Sequence, residues 1–471
     1  MRLTQTLLAA ALLAGPALAA DGTGLDAGDL AVAESLRGKA MAGSAAWSVV
    51  ESLTTEVGPR LAGTEADARA VRWAEAKFRA MGFDKVYLEP VTFPVWLRQR
   101  ERAEVLAPFP QPLVVTALGG SIGTGEKPLD AEVAEFANLD ALKAAPEGSL
   151  AGKIAFISNR MVRFKDGRGY GPAVGARSNG AVEAARKGAV AIVIRSIGTS
   201  NDRFAHTGTM RYLPDVPRIP AAALSNPDAD LLVNMLGRGQ PVTLRLDLSA
   251  ETREAYTSHN VIGEITGREL PGEVVTLGGH LDSWDQGTGA IDDGAGVGIT
   301  MAAGALIGEL PQAPRRTVRV IAYANEEQGL YGGKAYAEAR EAAGEIDAHQ
   351  LSAESDFGAG RVYALRAGVD PAAWPVIEKI GEVLAPLGVV TEAGVGSPGP
   401  DVGPIVAKGA TWAQLAQDGT DYFDYHHTPN DTLDKIDPKA LDQQVAAYAV
   451  LAWLAAETEV DFGRAPAKAA P

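Results

Sequence analysis

No cysteine occurs anywhere in the chain. That excludes disulfide staples, thiolate nucleophiles and every Cys-ligated metal site. A chain of 471 residues can bury enough surface without staples. Histidine is nearly as scarce, with six in all, so a transition metal must be held by a few imidazoles backed by Asp and Glu. Positive charge is in deficit as well: 43 Lys and Arg stand against 59 Asp and Glu, a formal net charge of -16. Phosphate backbones and anionic bilayers both select basic surfaces, so neither a nucleic acid nor a membrane is an expected partner. The acidity itself asks for no explanation beyond solubility.

Long apolar runs are missing too, with one short exception at the start. Arg2 precedes residues 7–14, built only from Leu and Ala, and Ala17-Leu18-Ala19 follows with small residues where a signal peptidase reads them. The run is shorter than the ~20 residues a membrane span needs. The expectation is a cleaved signal peptide over residues 1–19 and a secreted or periplasmic protein. No later stretch is read as long enough to span.

What is present suggests more than one layer of structure, because a chain this long exceeds one compact core. Ala70, Trp73, Ala74, Phe78 and Met81 recur at helical spacing and end at Gly82. Val86-Tyr87-Leu88 and Val91-Thr92-Phe93, interrupted by Pro90 and Pro94, predict strand near a sheet edge. Between about 105 and 250 the strand–helix–strand texture of residues 153–157, 181–185 and 188–194 predicts a small βαβ layer without an acid–histidine cluster. From 255 to 458 strands at 274–277 and 318–323 flank a Gly-rich helix near 294–310, which argues for a sheet covered on both faces. The predicted fold is α/β, a mostly parallel mixed sheet with helices on both sides. The expected main domain is discontinuous, residues 20–105 and 251–460, with an inserted smaller module at 106–250. The Ala- and Pro-rich tail, 461–471, is expected to be disordered.

Three of the six histidines lie in acidic clusters. Gly279-His280-Leu281-Asp282 follows a buried strand and precedes Asp292-Asp293, so His280 should stand at the carboxyl end of the sheet, where ligands of open α/β sheets gather. Asp282 points the same way and could accept the second N–H of a metal-bound imidazole. Asn325-Glu326-Glu327-Gln328-Gly329 ends the next strand, Glu354-Ser355-Asp356 another, and Tyr425-His426-His427-Thr428-Pro429-Asn430-Asp431 comes last. Alone, each piece is weak: a His-x-Asp pair is most often a surface hydrogen bond, and Glu-Glu is most often a solvated helix start. A dinucleotide loop at residues 287–292 lacks its third glycine and is flanked by acids that repel pyrophosphate. Joint order at strand ends is what changes the odds. If Asp292, Glu326, Glu327 and Asp356 converge, each close pair repels by about 4 kcal/mol at an effective dielectric near 20. Against a net stability of ~5–15 kcal/mol, such a pocket needs cations or must protonate. Two divalent ions would balance the charge, and mixed His and carboxylate ligands suit zinc better than magnesium or calcium.

Taken together, these strings resemble the M28 zinc-peptidase family, from about residue 30 to 458. Residues 180–189, Ile194-Arg195-Ser196 and His206-Thr207-Gly208 are similar to the protease-associated insert of its dipeptidase-like branch. The resemblance implies the zinc-exopeptidase fold and two Zn2+ per chain, one on His280 and Asp356, one on Glu327 and His427, with Asp292 bridging. It implies Glu326 as general base, Asp282 orienting His280, a cis peptide bond at Asp292-Asp293 and, as oligomer, a homodimer. His426 stands where other branches carry Tyr. It is expected to donate to the developing oxyanion, or alternatively to pack or bind metal in place of His427. The expected substrates are short peptides, dipeptides with a free amino end first and longer aminopeptidase substrates second. A single-zinc acyltransferase like glutaminyl cyclase and a non-catalytic binding protein are the rival classes. The Gly-rich segment 393–404 is expected to form a loop near the site.

Overall fold

The computed structural model describes residues 22–466; the signal-peptide expectation at 1–19 lies outside the described residues. Helices Ala27–Ala42 and Ala46–Ser52 open the chain, and Thr64 caps a third, Glu65–Ala80, by accepting from the backbone N–H of Asp67. A strand of 23 residues, β1 (Lys85–Ala107), leads away from them. Then come β2 (Gln111–Leu113), β3 (Val115–Ala117), β4 (Leu129–Phe136), β5 (Ile154–Ile157), β6 (Ala191–Arg195) and β7 (Ala221–Leu224). A second strand of 23 residues, β8 (Thr243–Ile265), returns along β1. The last group is β9 (Leu270–His280), β10 (Arg316–Tyr323), β11 (His349–Glu354), β12 (Val362–Gly368), β13 (Val390–Thr391) and β14 (Trp412–Gln417).

These strands make one continuous sheet, in the order β13-β12-β14-β11-β9-β10-β8-β4-β5-β6-β7-β3. Around the site it is parallel: β9 lies between β10 and β11, and β14 runs parallel to β11. The flanking pairs β10–β8 and β12–β14 are antiparallel. Strand alternation sends side chains to opposite faces, and both faces are covered. Val261, Val318 and Val320 join the core with helices Ala295–Gly308 and Pro438–Glu457, whereas Ile262, Ile321 and Tyr323 pack on Tyr336 of helix Tyr331–Ala343.

Four features differ from the sequence reading. The proline-punctuated segments at 86–93 form one unbroken strand, with a register shift between Phe93 and Val95 beside Pro94. The expected module boundaries at 105/106 and 250/251 fall inside β1 and β8, which run as one antiparallel ribbon from the larger sheet region into the smaller one. The stretch Ala290–Gly308 is long and apolar enough to pass for a span by length and composition, but it is 94% buried as a core helix. Order also continues into the tail: Phe462 is fully buried, and its backbone N–H donates to Gln350 at 3.1 Å.

Candidate metal centre

Why β9 ends in a histidine that cannot move is legible in its neighbours. A Cβ on Gly279 would lie 2.6 Å from Asp293 Oδ2, so only glycine lets the Asp293 carboxylate reach the strand. There it accepts the His280 backbone N–H at 3.0 Å and, through its other oxygen, the N–H of Gly296 at 3.1 Å. The Asp292-Asp293 peptide bond is cis. On the ring, Nδ1 of His280 donates to the carbonyl of Asp282 at 3.0 Å, while the Asp282 carboxylate is 3.6 Å away. The side-chain bond expected from the sequence is thus made by the backbone. The Asp282 carboxylate accepts instead from the N–H groups of Glu326 at 3.0 Å and Glu327 at 3.4 Å. It ties the end of β9 to the end of β10.

With Nδ1 engaged, His280 Nε2 faces acid. It lies 3.0 Å from Asp292 Oδ1 and 3.8 Å from Asp356 Oδ1. The other Asp292 oxygen lies 3.2 Å from His427 Nε2, which is 3.0 Å from Glu327 Oε2. His280, Asp292, Glu327, Asp356 and His427, drawn from four chain segments, are therefore brought together, with Asp292 in the middle. Two ligands on one tetrahedral zinc with ~2.0 Å bonds sit roughly 3.3 Å apart, and these separations bracket that value. Glu327 Oε1 and Asp292 Oδ2 are buried without a hydrogen bond among the described residues, a condition a bound cation would relieve. The donor set fits zinc.

His426 stacks on His427, ring centroids 3.5 Å apart, inside a cage of Tyr170, Tyr422 and Phe423. Its Nε2 is 3.8 Å from Asp292 and its Nδ1 is buried without a partner among the described residues. His427 thus meets two carboxylates, His426 one at longer range. Glu326 is half-buried beside this group.

The electrostatics follow from burial opposed by contact. Burial raises the Asp292 carboxyl, but the His280 and His427 imidazoles outweigh it and hold the group well below the usual range. Burial lowers His427, and Glu327 and Asp292 outweigh that, bringing it to about 9. His280 is likewise raised well above normal against its burial, by Asp282 and Asp292. Burial raises Asp356 to about 7 and Glu326 well above its ordinary value, with neighbouring carboxylates adding to both. His426 goes the other way: burial, then the charge of His427, holds it well below 6.5 and therefore neutral.

Several supports have no role in the sequence reading. Arg60 is fully buried and donates to the carbonyls of Leu281, Thr288 and Gly289, pinning the loop between His280 and Asp292. No motif surrounds it. Asp431 accepts from the N–H groups of Ile291 at 2.6 Å and Asp292 at 3.2 Å. It stands inside the quoted His-His string, a signal available but unassigned. Asp293 was likewise visible without a role.

Comparison with known proteins accords with this geometry. The model of peptidase family M28 matches residues 260–452. Carboxypeptidase Q of Bos taurus is 34% identical over 410 residues, 86% of this chain and 84% of that protein. The Mus musculus protein of the same name is 35% identical over 407 residues, with the same coverage. The chain belongs to peptidase family M28. It is a metallopeptidase. A peptidase M28 precursor from Shewanella amazonensis, known from a crystal structure, is 55% identical and superposes with a TM-score of 0.91 over 93% of this chain and 99% of that one. A zinc aminopeptidase from Bacillus subtilis shares the fold at 21% identity and a TM-score of 0.62, covering 89% of this chain and 97% of that one.

Proposed function

We propose that this metallopeptidase is a two-zinc exopeptidase of short peptides, dipeptides with a free amino end foremost. Its signal peptide would be residues 1–19, and the smaller layer would be a protease-associated-type insert. The observation that carries the reading is the contact of Asp292 with both His280 and His427. One carboxylate touching two imidazoles from opposite ends of the domain suits a bridge between two ions. His280 and Asp356 would complete one ligand set, Glu327 and His427 the other. Zinc held there would polarise the scissile carbonyl and lower the pKa of the attacking water toward ~7.

Glu326 would be the base. Its backbone is fixed by Asp282, and burial keeps its carboxyl avid for a proton. It takes the proton of the attacking water and returns it to the leaving amine. His426, neutral and enclosed, offers an N–H to the developing oxyanion. The preference for short substrates is supported by the adjoining cavity of about 380 Å³, lined by Asp356, Glu354, Phe357, Tyr363, Arg366 and residues 397–400 among others. That volume is at the small end of ligand pockets.

The test is a panel of dipeptides, longer peptides and amino- or carboxyl-blocked analogues, with zinc per chain measured alongside. Cleavage of free dipeptides by protein carrying two zincs is expected. Cleavage confined to longer peptides would replace the dipeptidase reading by an aminopeptidase one, and protein holding no zinc would end both. Unchanged turnover in His426→Ala would remove the oxyanion role.

A further inference from the structure

Four consecutive residues of the smaller layer, 206–209, each touch the segment that carries His427 or Glu327. His206 Nδ1 is 2.8 Å from the carbonyl of His426, so it carries the proton and donates. The backbone N–H of Thr207 donates to the carbonyl of His427 at 3.1 Å, and in return His427 Nδ1 donates to the carbonyl of Thr207 at 3.3 Å. A Cβ on Gly208, at φ +132, would sit 2.8 Å from His427 Nδ1. The hydroxyl of Thr209 donates to the carbonyl of Glu327 at 2.7 Å.

We propose that residues 206–209 are a splint for one metal position, so that the smaller layer is part of the catalytic centre. The proposal rests on the two-zinc reading and assigns His206 and Thr209 as positioning residues for the Glu327/His427 ion. Three things separate a splint from ordinary packing. First, the bond from His427 Nδ1 fixes the tautomer and leaves Nε2 as the lone pair facing Glu327 and Asp292, which a metal-bound imidazole requires. Second, His427 sits at φ 59, a left-handed conformation that non-glycine residues rarely hold unless their surroundings impose it; the carbonyls of His426 and His427 are pinned by His206 and Thr207. Third, the segment is itself anchored in the smaller layer. His206 N–H donates to Ser196, the Thr207 hydroxyl donates to Ala117 and accepts from Arg98, and Gly119 N–H donates to Gly208. Force applied at Glu327 or His427 therefore has somewhere to go. The His280/Asp356 position has no contact of this kind with residues 206–209 among the described residues.

The experiment titrates zinc from intact protein with graded chelator and follows metal per chain, with the visible spectrum of the Co2+-loaded form as a second readout. Thr209→Val removes the hydroxyl at constant shape and Thr209→Ser restores it. His206→Ala removes the imidazole and His206→Asn replaces it with an amide N–H. The expected result is a wild type with two zincs, and Val and Ala variants that keep one tightly while the affinity for the other falls roughly 10–100-fold. Their Co2+ spectra should change in the component of the weakened ion alone, and the Ser and Asn variants should recover most of the affinity. Two zincs held with wild-type affinity in the Val variant, or both lost together, overturn the splint. Because valine nearly matches threonine in shape, the Thr209 pair decides the matter even if His206→Ala fails to fold. A wild type that never holds a second zinc overturns the two-metal reading, and the splint with it.

Discussion

The chain builds a parallel sheet twice, and only one of the two carries acid–histidine chemistry. In the smaller region β4, β5, β6 and β7 run parallel, as β9, β10, β11 and β14 do in the larger. In open sheets of this kind the strand ends are the general ligand position. At the end of β6, however, most of the polar groups pair with one another, Asn226 Oδ1 being left over. Arg195 donates to the carbonyls of Ser158 and Asn226 and pairs with Asp230, and the Ser196 hydroxyl donates to Leu224. At the ends of β9 and β10 the groups are crowded, mostly acidic, and left with unused bonding capacity at Asp292, Glu327 and His426. Topology supplies parallel strand ends in both places. Carboxylates crowded against imidazoles set one of them apart.

The largest expected effect strikes only the crowded end. Glu326→Gln should lower turnover roughly 10²–10⁴-fold with zinc per chain unchanged, since base catalysis is typically of that size; loss of zinc together with activity would mean that Glu326 is a ligand. Arg60→Met leaves the carbonyls of Leu281, Thr288 and Gly289 without this donor and removes a fully buried cation. A loss of about 3–5 kcal/mol in denaturant unfolding is expected, by analogy with stranded buried partners. A smaller, pH-dependent effect comes from His349, away from the metal centre. It donates to the Glu345 carbonyl and accepts from Tyr336, and burial lowers its pKa to about 4. The unfolded chain, with His near ~6.5, takes up a proton first as pH falls. This contribution is therefore whole above ~6.5, erodes down to about 4 and is gone below, in all about 3 kcal/mol at ~1.4 kcal/mol per unit. His349→Gln should flatten the difference in melting temperature across that window. The smallest effect sharpens the comparison from the other side. Ser225→Ala deletes the cap of helix Asn226–Leu236 in the smaller layer and should cost about 1 kcal/mol with turnover intact. A matching loss of turnover would contradict the contrast between the two strand ends.

The strings that carry His280, Asp292, Glu327, Asp356 and His427 stand out because strand ends and local acid–histidine clusters are written along the chain, whereas the choice of ligand within each string comes only from the family resemblance. Sequence reasoning could not reach Arg60, three of whose carbonyl partners lie more than 220 residues away and are backbone atoms with no side-chain signature. Asp282 was singled out by spacing, yet which of its oxygens meets His280 depends on how β9 turns, and spacing is silent on that. The prolines at 90 and 94 made β1 look broken, whereas that stretch of it pairs only with β8 among the described residues and so tolerates a missing N–H on its open side. Phe462 showed no periodicity that could place it in the core. The parallel centre and covered faces followed from buried runs, but the fusion of the two layers did not.

That fusion has a mechanical consequence. At ~3.3 Å per residue, β1 and β8 are girders roughly 75 Å long, and each belongs to both halves of the molecule. Neither half can shed its hydrogen-bonded partner without fraying the other, so heating should melt the protein in one cooperative step. A calorimetric trace with two separated peaks would show that the girder is jointed, at the register shift between Arg98 and Glu101 if anywhere.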